Sequence, residues 1–253
     1  MLVLEEKGLD YWGHVMNPFD GSCLEEEYMK MNNKGTVPTL IDHRISLIET
    51  KTIVRYLDSM FEPLGKDLVN RPLVNNWVQQ LTDWDDTFWT YAYMPGSNGR
   101  YLRGKLSEFK RRCIIARMER HPSLVPSYRA KLDALHKLLE DIRNPEMVNE
   151  NMRQLYVLLD AAERQLAVTS FLCGDALSTA DCMLLPILAR IELADLTKEI
   201  LEPRPNLLEY LQEMKRRPSF EKVVLKPQRS FSKMKRMLPT LVGIHWRSLV
   251  KSY

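Results

Sequence analysis

The sequence predicts a fold in two parts, a small α/β domain at residues 1–60 and an all-helical domain at residues 72–221. Three observations predict it. Short helical and strand-like patterns alternate over the first 60 residues. Residues 61–71 contain Pro63 and Gly65, which is typical of a linker. After residue 72, apolar residues recur every three or four positions and no strand pattern is found.

The α/β part begins with a helix end. Leu2 to Glu6 has the pattern of a last helical turn, and Gly8 is a favoured residue just past a helix end. Asp10 to Met16 is rich in aromatic and β-branched residues and is predicted as a strand. The remaining predicted elements are a turn at 17–21, a helix at 24–31, strands at 37–41 and 44–48, and a helix at 49–60 with Ile53, Val54 and Leu57 on one face.

The second part is predicted to contain helices only. Residues 72–93 are predicted as one amphipathic helix, because large apolar side chains recur at Leu73, Trp77, Leu81, Trp84 and Phe88. The turn-forming residues 95–99 would end it. Further helices are predicted at 100–120, 123–142, 146–168, 179–196 and 205–216.

One helix start has a specific signature. Ser178 and Asp181 have the spacing of a capping box in its acidic form, and Leu177 suits a hydrophobic staple. The helix that follows is almost wholly apolar, so it should lie at the centre of its bundle. We interpret Ser178 and Asp181 as structural residues rather than catalytic ones.

Composition excludes several protein classes. The chain has 253 residues, of which 45% are hydrophobic and 27% charged, which excludes bulk disorder. No run of about 18 apolar residues is present, so no membrane-spanning helix is expected. The segment Met1 to Gly8 lacks the pattern of a signal peptide, which predicts a cytoplasmic protein.

Cysteine and histidine usage gives no sign of a metal site or a disulfide framework. The four cysteines are Cys23, Cys113, Cys173 and Cys182, without a C-x-x-C pair or a histidine at metal-ligand spacing. Cys173 and Cys182 have apolar neighbours, so they are interpreted as isolated buried thiols. No metal and no permanently bound cofactor are expected.

Basic residues are concentrated at the end of the chain. Eight of the 36 Lys and Arg residues, and none of the 33 acidic residues, lie in the tail at 222–253, so the first 221 residues carry a net charge of −5. Apolar residues interleave with the positive ones, which is typical of attachment to an anionic membrane surface. The alternative is that the apolar residues pack on the body of the protein. The tail has no residues that would recognise nucleic-acid bases specifically, so binding to nucleic acid is not expected.

Four segments, in this order, resemble the glutathione transferase superfamily. They are Leu4 to Tyr11, Asn32 to Leu40 (NNKGTVPTL), Leu47 to Leu57 (LIETKTIVRYL) and Phe171 to Asp181 (FLCGDALSTAD). The chain is most similar to the plant class named for tetrachlorohydroquinone dehalogenase, TCHQD. The resemblance implies a thioredoxin-like N-terminal domain, lacking its first strand, followed by a helical-bundle domain. It also implies a cytoplasmic, homodimeric detoxification enzyme that transfers glutathione, its co-substrate, to a hydrophobic electrophile.

The resemblance implies a glutathione site at Val37, Pro38, Glu49 and Thr50. Val37–Pro38 resembles a cis-proline turn whose Val37 N–H and C=O pair with the cysteinyl backbone of glutathione; an ordinary edge-strand proline is the alternative. Glu49 and Thr50 open a helix whose free N–H groups suit the γ-glutamyl carboxylate; ordinary first-turn residues are the alternative. Thr36 stands where relatives often carry Lys or Gln, at the position expected to contact the glycyl end.

The start of the chain departs from the family pattern. The family's first strand and first half of helix 1 would precede Leu2, and they carry the Ser, Tyr or Cys that hydrogen-bonds the glutathione sulfur. No catalytic residue is therefore identified. Either the true start lies upstream of Met1, or the chain is a shortened and impaired form.

Two functions remain open at this point. One is a glutathione transferase, and the other is a catalytically impaired adaptor or membrane-surface binding protein with the same fold. Four aromatic residues that follow helical spacing either line a pocket for the electrophile or belong to the core: Trp84, Phe88, Trp89 and Tyr91.

Overall fold

The computed structural model describes residues 1–93 and 99–227. Its helices and strands are α1 (Leu2–Glu6), α2 (Glu26–Met31), β1 (Leu40–Asp42), β2 (Ile45–Leu47), α3 (Thr50–Met60), α4 (Arg71–Asp83), α5 (Asp86–Ala92), α6 (Gly99–Arg120), α7 (Val125–Asp141), α8 (Pro145–Leu166), α9 (Thr179–Leu193), α10 (Pro205–Met214) and α11 (Pro218–Phe220). Within these two ranges, none of the helices combines the length and apolar character that a membrane span needs.

Most predicted helices are confirmed to within a few residues. α1 ends at Glu6, and Gly8 follows it with a φ of +63°. The predicted apolar face of α3 is buried at Ile53, Val54 and Leu57. Of the turn residues 95–99, which were expected to end the helix before them, residues 95–98 lie outside the described residues and Gly99 begins α6.

The strand predicted at Asp10 to Met16 is wrong. The segment forms no ladder with any residue that the structure describes, and Trp12 and Val15 are 92% and 80% exposed. Aromatic and β-branched residues favour extended backbone, but a strand also needs a hydrogen-bonded neighbour. Local composition predicted a strand here, but no neighbouring segment is in place to form the ladder.

The single helix predicted at 72–93 is also wrong, because the structure has two helices there. α4 ends at Asp83, and Asp85 then starts α5 by accepting a hydrogen bond from the Phe88 N–H at 2.8 Å. Asp is a preferred residue at a helix start because its carboxylate accepts an otherwise unpaired N–H. The apolar spacing continues across the break, so periodicity alone does not reveal where α4 ends.

The sheet is a two-stranded antiparallel hairpin. β1 and β2 pair with Leu40 opposite Leu47 and Asp42 opposite Ile45, and His43 in the turn has a φ of 50°. The strands are shorter than the predicted 37–41 and 44–48. Pro38 has no N–H to donate to a ladder, which agrees with a strand that begins only at Leu40.

Residues 1–11, 54–93 and 145–227 form one compact unit whose centre is α9. α9 packs against α1, α4 and α10, while α8 packs against α5 and α10. As predicted from its apolar sequence, α9 is buried along most of its length. The four aromatic residues Trp84, Phe88, Trp89 and Tyr91 are all buried in this unit, which agrees with the core interpretation.

Asp181 organises the start of α9. The predicted capping box is present, and the Asp181 carboxylate accepts the Ser178 N–H at 2.8 Å. The same carboxylate accepts from the Ser178 hydroxyl at 2.7 Å, the Leu172 N–H at 3.0 Å and the Tyr210 hydroxyl at 2.8 Å. Burial raises the pKa of Asp181, while these four donors favour its charged form. The carboxylate thus ties together α9, α10 and the loop before α9.

A second carboxylate stabilises the start of α10. Glu163 on α8 accepts the backbone N–H groups of Asn206 at 3.1 Å and Leu207 at 2.8 Å. These N–H groups lie in the first helical turn and have no partner within the helix. A carboxylate at this position also interacts favourably with the helix dipole.

We expect Glu163→Ala to lower the free energy of unfolding by about 1–2 kcal/mol, because two N–H groups lose their acceptor. Urea unfolding followed by circular dichroism measures the change. Glu209→Ala, on an exposed position of α10, is the control and should change stability by less than about 0.5 kcal/mol. Equal effects of the two substitutions would show that Glu163 does not support α10.

Residues 12–53 and 99–144 form the other compact unit. Its core joins α6 and α7 to the segment around α2, and comprises Leu24, Met29, Phe109, Cys113, Ile114, Tyr128 and Leu135. The Tyr128 hydroxyl donates to the Leu24 carbonyl at 2.8 Å, and Arg117 forms an ion pair with Glu25. The α6–α7 hairpin therefore supports the chain that leads into the β-hairpin.

All four cysteines are buried free thiols, which confirms the interpretation of Cys173 and Cys182. The domain bounds of 1–60, 61–71, 72–221 and 222–253 stay a prediction. Of the basic tail, residues 228–253 lie outside the described part of the chain. Lys222 forms an ion pair with Glu5 at 2.7 Å and lies over the Tyr11 ring at 5.8 Å.

Candidate functional site

The four predicted site residues lie at the open end of the β-hairpin. Val37 and Pro38 precede β1, while Glu49 and Thr50 follow β2. Because Leu40 pairs with Leu47 at this end of the hairpin, the two segments leave the ladder on the same side. The ion pair between Lys34 and Glu49 also joins the chain before Val37 to the chain after β2.

Val37 is an exposed residue whose backbone groups are not used within the fold. The Val37–Pro38 peptide bond is cis, as the resemblance implied, and Val37 is 43% exposed. Neither the N–H nor the C=O of Val37 has a hydrogen-bond partner among the described residues. An unpaired backbone donor and acceptor at this position can pair with the backbone of a peptide ligand, as an added strand would.

Two buried side chains hold the loop around Val37. The Asn32 amide nitrogen donates to the Thr36 carbonyl at 2.7 Å and the Thr39 hydroxyl oxygen at 3.0 Å. The Tyr28 hydroxyl donates to the same Thr36 carbonyl at 2.5 Å. Because the residues on both sides of Val37–Pro38 are fixed in this way, Val37 itself is free to face outward.

Thr50 is the first residue of α3 and is exposed. The first N–H groups of a helix have no partner within the helix, and they form the positive end of its dipole. The Glu49 carbonyl accepts the Ile53 N–H at 2.8 Å, which closes the first turn. The Thr50 hydroxyl has no partner in the part of the chain that the structure describes, so it can bind a ligand carboxylate together with the N–H groups.

Glu49 carries the negative charge of the site. Its carboxylate is exposed and pairs with the Lys34 ammonium, which lowers the pKa of Glu49. Glu49 therefore stays ionised at neutral pH, and its carboxylate can accept a hydrogen bond from an ammonium group of a ligand.

Sequence reasoning missed the supporting residues Asn32, Tyr28 and Lys34. The Asn32-Asn33-Lys34-Gly35 run was a recognisable turn signal, and Asn commonly hydrogen-bonds nearby backbone. The structure shows this directly, because the Asn32 side-chain oxygen accepts the Lys34 N–H at 3.0 Å. Thr36, in contrast, contributes through its carbonyl, which Asn32 and Tyr28 already occupy.

Two family models match the sequence. Residues 1–59 match "Glutathione S-transferase, N-terminal domain" and residues 148–213 match "Glutathione S-transferase, C-terminal domain". The chain is 31% identical to "Glutathione S-transferase TCHQD" of Arabidopsis thaliana over 255 residues, which cover 100% of this chain and 94% of that protein. It is 30% identical to "Tetrachloro-P-hydroquinone reductive dehalogenase" of Sphingobium chlorophenolicum, over 89% of this chain and 90% of that protein.

A solved structure confirms the fold class. The glutathione transferase of Burkholderia graminis, described as having two glutathione molecules bound per subunit, matches with a TM-score of 0.62 at 19% identity. The match covers 87% of this chain and 80% of that one. The predicted thioredoxin-like N-terminal domain with a small sheet, followed by a helical domain, is thereby confirmed.

Proposed function

The chain belongs to the glutathione S-transferase family, and on that premise we propose that it binds glutathione at Val37, Pro38, Glu49 and Thr50 and transfers its thiolate to an electrophile. The observation that carries the proposal is the unpaired Val37 backbone at the same hairpin end as the start of α3. Glutathione is a tripeptide whose γ-glutamyl end carries a carboxylate and an ammonium group. Its backbone suits the Val37 groups, and its charged end suits the start of α3.

Each part of glutathione has a proposed partner. The cysteinyl N–H and C=O pair with the Val37 backbone, as an added strand would. The γ-glutamyl carboxylate accepts from the Thr50 hydroxyl and the first N–H groups of α3. The γ-glutamyl ammonium lies against the Glu49 carboxylate, which the pairing with Lys34 keeps ionised.

The proposed reaction is a nucleophilic substitution. The glutathione thiol releases its proton to solvent, and the thiolate sulfur bonds to the electrophilic carbon. The leaving group departs with the electron pair of its own bond, as chloride does from an aryl chloride. The name of the Sphingobium relative, a reductive dehalogenase of tetrachloro-p-hydroquinone, supports halogenated aromatic compounds as the substrate class, although it describes a reductive reaction rather than a substitution.

We expect glutathione-agarose to retain the chain and free glutathione to elute it. A spectrophotometric assay with an activated aryl chloride then measures conjugation above the uncatalysed rate. Retention with turnover supports the transferase, and the chain would then serve in detoxification. Retention without turnover selects the alternative, a glutathione-fold adaptor. A chain that passes through the resin unretained contradicts the proposed glutathione site and the transferase.

The proposal includes a cytoplasmic homodimer. Support for the compartment comes from the four buried free thiols, which suit a reducing environment. The basic tail at 222–253 remains a proposed contact with an anionic membrane surface. Co-sedimentation with phosphatidylserine vesicles, comparing the full chain with one ending at Pro227, separates this contact from a tail packed on the body.

A further inference from the structure

A cleft between α6 and α7 is separate from the residues proposed to bind glutathione. Its volume is about 570 Å³, and it is lined by Arg103, Gly104, Ser107, Glu108, Arg111, Leu135, His136, Leu139, Ile142 and Arg143. Both helices lie between the two stretches that match the family models, residues 1–59 and 148–213. A volume of this size suits a small organic ligand.

Ser107 supplies an unused hydrogen-bonding group in this cleft. Its residue is only 4% exposed, and its hydroxyl has no hydrogen-bond partner within the described residues. A buried hydroxyl without a partner is unfavourable by about 1–3 kcal/mol, and native structures rarely leave one unpaired. The hydroxyl itself is inaccessible to solvent, and because Ser107 lines the cleft, a rotation about its χ1 torsion would bring the hydroxyl to a polar atom of a ligand.

The charges that line the cleft are mainly positive. Three arginines and one glutamate give a formal charge of +2 when His136 is neutral. The Arg111 guanidinium, with a smaller contribution from Arg112, lowers the pKa of Glu108 to about 2. The Glu108 carboxylate is therefore paired with two arginines of its own helix. Arg143 is exposed and has no acidic partner in the described part of the chain. An anion that enters the cleft thus meets an unneutralised guanidinium.

The apolar wall of the cleft comes from α7 and the residue that follows it. Leu135 and Leu139 lie one turn apart on the same face of this helix, Ile142 directly follows its last residue, and all three line the cleft. Leu135 and Ile142 are buried. The cleft therefore joins an apolar wall to a cationic rim, which suits a ligand with both characters.

We propose that this cleft binds a small organic carboxylate with an apolar body, held by Arg143 and the Ser107 hydroxyl and packed against the apolar face of α7. A guanidinium binds a carboxylate through two parallel hydrogen bonds. A free phosphate ion has no apolar part to cover this face and carries a larger charge to desolvate. The site goes beyond the proposed glutathione chemistry and does not depend on it.

The test is calorimetric titration of the full chain with 2-naphthoate. We expect saturable binding, weakened about tenfold by Arg143→Gln and about fivefold by Ser107→Ala. Ser107→Ala removes an unpaired buried hydroxyl, so its melting temperature should not fall. Arg129→Gln makes the same charge change at an exposed position of α7 outside the cleft, and it should bind like the wild type.

Three results would overturn the proposal. The first is the absence of saturable binding at millimolar 2-naphthoate. The second is equal weakening by Arg143→Gln and Arg129→Gln, which would indicate a general charge effect. The third is equal affinity for the neutral 2-naphthamide, or displacement by inorganic phosphate at matched concentration, because neither ligand combines a carboxylate with an apolar body.

Discussion

Asp181→Ala is expected to lower the free energy of unfolding by about 3–5 kcal/mol. The substitution leaves four donors around the start of α9 without their common acceptor, namely the Ser178 N–H and hydroxyl, the Leu172 N–H and the Tyr210 hydroxyl. The relief from burying a carboxylate offsets part of this loss. Since domains are typically stable by only about 5–15 kcal/mol, the change should be evident in urea unfolding.

Two further variants calibrate this expectation. Tyr210→Phe removes a single donor and should cost about 1–2 kcal/mol, so it reports on the network even if Asp181→Ala does not fold. Asp175→Ala, at an exposed position six residues earlier, should change stability by less than about 0.5 kcal/mol. A cost below about 1 kcal/mol for Asp181→Ala would show that the carboxylate is not central to the fold.

The second large effect is expected on ligand binding. Glu49→Ala combined with Thr50→Ala should weaken glutathione binding at least tenfold, or about 1.4 kcal/mol. The double variant removes the carboxylate that faces the γ-glutamyl ammonium and the hydroxyl that donates to the γ-glutamyl carboxylate. Both side chains are exposed, so the fold should tolerate the change. Isothermal titration calorimetry measures the dissociation constant directly.

The helical part of the fold could be predicted well from the sequence. Helices such as α8 are amphipathic, and α9 is apolar and clearly capped, so local pattern and burial agree there. The exception is the break between α4 and α5. There the Asp85 start signal competes with an apolar spacing that continues, and the spacing masked the end of α4.

The α/β part was harder to predict, because strands depend on partners distant in sequence. Composition at Asp10 to Met16 favours extended backbone, yet no ladder forms there among the described residues. The hairpin at β1 and β2 was predictable because its two strands and their turn are contiguous.

The candidate site was predictable only for residues within recognisable motifs. Val37, Pro38, Glu49 and Thr50 follow from the resemblance. Lys34 does not, because its pairing with Glu49 depends on how the hairpin folds the chain back. Asn32 was visible as a turn residue, but its role as a fully buried support for both sides of Val37–Pro38 depends on tertiary packing.

The most direct test of the glutathione site is a set of three calorimetric titrations with glutathione. They compare the wild type, the Glu49→Ala/Thr50→Ala variant and a matched Thr82→Ala/Asp83→Ala variant, which removes the same two chemical groups from exposed positions of α4. We expect saturable binding by the wild type, the same affinity for the matched variant and at least tenfold weaker binding for the site variant. Equal affinities for all three proteins would place glutathione elsewhere, and no binding by the wild type would contradict the proposed function.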